Sequence, residues 1–129
     1  MATIIKHDPE GLFPPYRCYT HATEIRGEGR LLIISGLNGY LANGVTMPDS
    51  FEEQAEIIWQ HIGTILRSAD MEYTDIVSLR FYLADPKFDE ANVQMRMKYL
   101  GDHRTALTVI CCQLLDPNWK LEVEATAAK

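Results

Sequence analysis

Thr105-Ala-Leu-Thr-Val-Ile-Cys-Cys-Gln-Leu-Leu115, the turn Asp116-Pro-Asn118, and Lys120-Leu-Glu-Val-Glu-Ala-Thr-Ala127 decide the fold of this sequence. Two extended runs flank a turn, so they read as strands joined by a short connection. In the second run Leu121 and Val123 alternate with Glu122 and Glu124. A strand with a period of two sends both carboxylates to the face opposite the leucine and valine. Two glutamates on one face either meet solvent or line a site.

Upstream, Asp75 to Leu83 alternates Val77, Leu79, Phe81 and Leu83 with Ser78, Arg80 and Tyr82, which predicts a strand whose odd positions pack under helices. Asp85-Pro86 opens a helix, and Phe88, Ala91 or Asn92, Met95 and Tyr99 keep helical spacing as far as Gly101. Ser50-Phe-Glu-Glu53 is a capping box, with Glu53 expected to reach back to the serine amide. Behind it Phe51, Ala55, Ile58, Ile62 and Ile65 form one apolar stripe, giving a helix to about residue 69. Farther out, Cys18 to Ile25 and Arg30 to Gly36 read as strands around the turn Gly27-Glu-Gly29, which predicts a hairpin. Asn38 to Pro48 reads as loop. Residues 1–17, with Pro9, Gly11, Pro14 and Pro15, read as an arm or loop. The expected order is ββαβαββ, an α+β fold with both helices on one side of a sheet. Its other face is left bare, to be covered by copies of the same chain.

A chain of 129 residues fits one domain, residues 1–129, and buries roughly two-thirds of its unfolded surface. No apolar run approaches the length of a membrane span, and no basic segment precedes an apolar core at the N-terminus, so a cytoplasmic protein without membrane contact is expected. The net charge of -6, with its 12 Lys and Arg scattered, would meet repulsion from a phosphate backbone, so no nucleic-acid partner is expected. Cys18, Cys111 and Cys112 are an odd number, and neighbours on a strand face opposite ways, which fits a reducing compartment. Cys111 is expected as a small buried thiol. His7, His21, His61 and His103 are far apart and no Cys-x-x-Cys or His-x-x-x-His spacing occurs, so no metal site is expected.

Tyr19-Thr-His-Ala22, Leu31-Leu-Ile-Ile-Ser-Gly36, Glu53-Gln54, Asp75-Ile-Val77, Phe81-Tyr-Leu83, Phe88-x-x-x-Asn92, Gly101-x-His-Arg104 and Leu121-Glu-Val-Glu-Ala125 follow one another in an order that resembles the Rid family. These YjgF-like proteins are reactive intermediate deaminases, also labelled endoribonuclease L-PSP. The resemblance implies a chorismate-mutase-like domain, homotrimeric, with sites in the clefts between subunits. It also implies hydrolysis of small enamines or imines without a cofactor. By position it assigns the catalytic glutamate to Glu122 and the cleft tyrosine to Tyr19. It gives substrate-binding roles to Ser35, Gly36 and Asn92.

The family's carboxylate-clamping arginine is missing. The chain reads His103-Arg-Thr-Ala-Leu-Thr108, with Leu107 in the arginine's place. Leucine cannot replace a bidentate guanidinium, and a substrate carboxylate left buried and unpaired there would cost about 2 to 5 kcal/mol. Either the ligand lacks that carboxylate or another cation holds it. Arg80, whose strand parity puts it on the face of Glu122, is the candidate, against the alternative of an intersubunit ion pair. His21 reads as a structural hydrogen-bonding residue. Three functions follow from the resemblance: an enamine or imine hydrolase, a small-molecule-binding protein without turnover, and a ribonuclease or translation inhibitor, which the acidic balance disfavours.

Overall fold

Ser50 sets where the first helix begins. Its Oγ accepts the Glu53 N–H at 3.1 Å, and helix α1 runs over Phe51–Ser68. The capping box is half built, because the Glu53 carboxylate takes the Ser50 hydroxyl at 3.1 Å rather than the serine amide. Asp85 caps a short 3-10 turn by accepting from Lys87 N–H at 2.8 Å, and α2 follows over Asp89–Leu100. Gly101, at φ 57°, ends it in a conformation that glycine adopts without strain.

The computed structural model describes Met1–Lys129. Its main sheet has the order β3 (Leu31–Leu37), β6 (Leu121–Ala128), β4 (Ile76–Leu83), β5 (Ala106–Cys111). Strand β6 is antiparallel to both neighbours, whereas β4 and β5 are parallel and are joined through α2, as a parallel crossover requires. The run expected as a strand to Leu115 leaves the sheet after Cys111.

The expected hairpin between residues 18–25 and 30–36 does not form. Strand β2 (Ala22–Arg26) pairs instead with β1 (Thr3–His7) in a separate antiparallel ribbon, and β3 pairs with β6. The arm expected at residues 1–17 therefore opens with a strand. Thr3, Ile4 and Ile5 are β-branched and suit one, while the prolines lie beyond it in the connection. From β2 onward the order is ββαβαββ, and β1 precedes it.

Both helices cover one face of the sheet. Phe51, Ala55, Ile58, Trp59, Ile62 and Leu66 of α1 pack on Leu79, Phe81, Leu83, Leu121 and Val123, and Ala91, Met95, Tyr99 and Leu100 of α2 extend the same core. A register irregularity between Ile76 and Ser78 shifts the alternation of β4 by one residue. Ile76 therefore joins the core cluster, while Val77, though buried, stands outside it. The opposite face bears no helix. It carries Ser78, Arg80, Tyr82, Glu122 and Glu124 beside the exposed apolar residues Leu31, Ile33 and Ile110. No helix is long and apolar enough to cross a membrane.

Candidate functional site

Glu122 lies on the helix-free face, where alternation along β6 puts it, and the backbone around it is shaped to receive its carboxylate. Between Ile34 and Leu37, β3 carries one residue more than the opposing stretch of β6, so Ser35 and Gly36 form a bulge beside Glu122 and Glu124. A Cβ on Gly36 would collide with the Glu122 carboxylate, which rests directly on the bare glycine. Asn38 Nδ2 donates to Glu122 Oε1 at 3.3 Å. Tyr82 stands opposite Glu122 in the register, but its hydroxyl donates to Glu124 Oε1 at 2.5 Å. That carboxylate holds the Tyr82 hydroxyl above the usual phenol range. Arg80 also turns to Glu124, with Nη1 3.8 Å from Oε1, and stays largely exposed.

The two loops that flank Glu122 are tied together by a side chain of α1. Gln54, wholly buried, donates through Nε2 to Pro48 O at 2.9 Å and to Asn118 O at 3.1 Å, and its Oε1 accepts from Lys120 N–H at 2.9 Å. A Cβ on Gly39 would lie 2.6 Å from Gln54 Cβ, so only glycine lets the 38–48 loop seat against the helix. Trp119 Nε1 donates to Tyr40 Oη at 2.9 Å, and His61 Nε2 donates to Tyr40 O at 2.7 Å. The sequence showed Gln54 only as part of a motif and Asn38 only as loop; a polar side chain one residue before the apolar Ala55 on the helix stripe is the signal that marks Gln54.

Tyr19 lies toward the opposite end of the sheet. Glu122 is level with Tyr82 and Ile110, whereas Ala106 is level with Ser78 and Thr126. Four residues of strand separate those levels, about 13 Å. Tyr19 sits in the 16–20 segment, which crosses beside the start of β5 through the bond from Thr20 N–H to Thr105 O at 3.1 Å. Its ring meets His21 edge to face at 5.8 Å. The hydrogen-bonding part expected of the His21 ring is not made: its Nδ1 is 3.2 Å from Asp8 Oδ1, yet neither ring nitrogen has a hydrogen-bond partner, and only its main-chain N–H donates to that oxygen, at 2.7 Å. The Thr20 hydroxyl donates to Asp8 Oδ2 at 2.6 Å, and these bonds, Thr20 foremost, hold the Asp8 carboxyl below the usual range.

Asn92 is wholly buried on α2 with neither amide atom partnered, so it does not line an open cleft in one chain. Leu107, opposite Leu79 in the register, packs toward the helix-covered core, on the face away from Glu122. Cys111, expected to be buried, is exposed at the end of the edge strand. One chain thus brings Ser35, Gly36 and Glu122 together and holds Tyr19 and Asn92 apart from them. No group of three or more His, Cys, Asp or Glu side chains converges as a metal site would need.

The sequence profile described as Endoribonuclease L-PSP matches residues 13–129. The chain belongs to this family, the Rid family. Among solved structures, the Rid family protein of unknown function YyfB from Yersinia pestis is similar at 29% identity, with 98% of each chain covered and a TM-score of 0.86. RidA from an Antarctic Psychrobacter matches at 21% identity over 86% of this chain and 88% of its own, with a TM-score of 0.74. A YjgF/YER057c/UK114 family member from Mycobacterium tuberculosis matches at 20% identity over the whole of both chains, with a TM-score of 0.69. No curated protein matches. The fold of this Rid chain is therefore the family's, two helices on one face of a mixed sheet.

Proposed function

We propose that this Rid protein is a hydrolase of a small activated enamine or imine, working as a cytoplasmic homotrimer of single-domain chains. The observation that carries the reading is the seat of Glu122, its carboxylate resting on Gly36 and held by Asn38 on a face that no helix covers. Water adds to the C=N carbon of the imine, with Glu122 as the base that takes its proton. Glu122 then returns that proton to the nitrogen, giving a carbinolamine; Glu122 next takes the carbinolamine hydroxyl proton and passes it to the nitrogen, the C–N bond breaks, ammonia leaves, and a carbonyl remains. Ser35 and Gly36 border the reacting group. Tyr19, about 13 Å away along the strands of one chain, and Asn92, buried on α2, complete the site from a neighbouring copy. That division accounts for the helix-free face with its exposed Leu31, Ile33 and Ile110, which association would bury. The chemistry asks for no cofactor. The net charge of -6 weighs against the ribonuclease function in the family's label.

The test is ammonia release from freshly generated 2-aminoacrylate and bulkier imines. Glu122→Gln, which keeps shape and removes the base, should lower the rate about 100-fold or more. Equal rates for the two proteins would end the reading. A second reading, ligand binding without turnover, draws on Leu107, which packs into the core where the deaminase branch would present a guanidinium. An inert native protein that still binds imine-derived ligands would establish it.

A further inference from the structure

Arg96 is buried to 2% exposure on α2, yet no carboxylate pairs with it. Its Nη2 donates to Arg17 O at 2.6 Å, while Nε and Nη1 reach no acceptor. The Phe81 ring lies 5.8 Å from the guanidinium carbon and supports the charge without accepting a conventional hydrogen bond. One helical turn earlier is Asn92, with both amide atoms unpartnered, and side chains four apart on a helix are neighbours. Thr105, also wholly buried, has an unpartnered hydroxyl, and its parity with Leu107 and Val109 turns it toward the same helix-covered side.

Buried polar groups are ordinarily satisfied, and a buried guanidinium without an anion is costly. Here the missing partner has a definite chemistry. The unpaired groups are mainly donors, three N–H on Arg96, two on Asn92 and a hydroxyl on Thr105. They call for a negative charge spread over at least two oxygens, and the flat guanidinium fork fits a carboxylate. We propose that Arg96, with Asn92 and Thr105, is the carboxylate subsite of this protein, reached when the 16–20 segment lifts. The substrate part rests on the hydrolase reading above: Arg96 supplies the cation that position 107 lacks, and the role expected for Arg80 passes to it.

The 16–20 segment is held mainly by side chains, with Arg17 Nη2 donating to Glu90 Oε2 at 2.7 Å and Thr20 Oγ1 to Asp8 Oδ2 at 2.6 Å. Between residues 8 and 21 its one main-chain hydrogen bond is that from Thr20 N–H to Thr105 O, and Cys18 has φ 53°, a left-handed conformation uncommon without glycine. Arg96 is itself one of the pins, through Arg17 O, so an anion that competes for the guanidinium also loosens the cover.

The experiment titrates pyruvate, methyl pyruvate and inorganic phosphate into the native protein, Arg96→Lys and Arg96→Met. Two readouts are followed, melting temperature and the proton–nitrogen NMR signals of Arg96 Nε–H and the Asn92 amide. Pyruvate should move both signals saturably and raise the native melting temperature, and methyl pyruvate should do neither. Arg96→Lys should bind pyruvate at least about tenfold more weakly. Arg96→Met should lose binding and melt no lower than the native protein, because an apolar side chain removes an uncompensated charge. Signals that stay still with pyruvate, or a native response that persists in Arg96→Met, would overturn the subsite. A marked drop in the melting temperature of Arg96→Met together with native signals unmoved by pyruvate would mean that Arg96 is only a brace for residue 17. A response to phosphate in preference to pyruvate would overturn the carboxylate assignment. If Arg96→Met does not fold, the native NMR titration still decides. Binding is read without turnover, so the two proposals fail separately. Pyruvate bound at Arg96 without ammonia release removes the hydrolase, and ammonia release with unmoved Arg96 signals removes the subsite.

Discussion

Two regions of the molecule handle their polar groups in opposite ways. Around Glu122, Gln54 uses both ends of its amide, Asn38 meets the carboxylate, and Trp119 and His61 hold Tyr40. Around Arg96, a guanidinium, an amide and a hydroxyl are buried with most of their hydrogen bonds unmade. The first region is finished within the chain, so its geometry is fixed before any ligand arrives. The second is left open, and whatever completes it comes from outside the chain.

The contrast breaks first at Gln54. Gln54→Leu keeps the volume but leaves Pro48 O, Asn118 O and Lys120 N–H without partners, and should cost about 3 kcal/mol in urea unfolding. A loss below about 0.5 kcal/mol would show that the finished region is held by packing and not by these bonds. Ser50→Ala removes the N-cap of α1, one turn before Gln54, and should cost about 1 kcal/mol in the same denaturation. The smallest effect is electrostatic. Burial lowers the His103 pKa, while its Nε2–H donates to Ile76 O at 2.8 Å. Below pH 6.5 the unfolded chain takes up a proton that the folded ring resists, so stability should fall as pH drops from 7 through 6.5 toward the lower folded value. Melting curves of His103→Gln should be flatter over that window, and an unchanged pH slope would assign the effect to other groups.

Much of this was legible in the residues, and the failures are instructive. The apolar stripe from Phe51 gave α1, the alternation through Phe81 gave β4, and the proline after Asp85 gave the start of the second helical region, because each signal is local. Pairing is not local. The β-branched run Thr3-Ile-Ile finds β2 rather than solvent, and β3 finds β6 some 90 residues away by the register of Leu31 with Ala128, choices that periodicity does not encode. The slip at Ile76 and Val77 is invisible for the same reason, since one extra residue reverses which side chain faces the helices. At the candidate site, family pattern pointed to Glu122 and Gly36. Arg96 was missed, because an arginine between Met95 and Met97 reads as a solvated position until its helix is seen lying over Phe81.

The central place of β6 also governs when this protein can form. Leu121–Ala128 lies between β3 and β4, so during synthesis β3 has no sheet to join, and β4 only its parallel neighbour β5, until that strand has been made. Until then α1 and β4 carry their apolar residues without the strand they pack beside, a window in which the nascent chain is open to aggregation. Folding of this domain thus waits on the last strand of its sheet, and its yield depends on how quickly that strand slots into the middle.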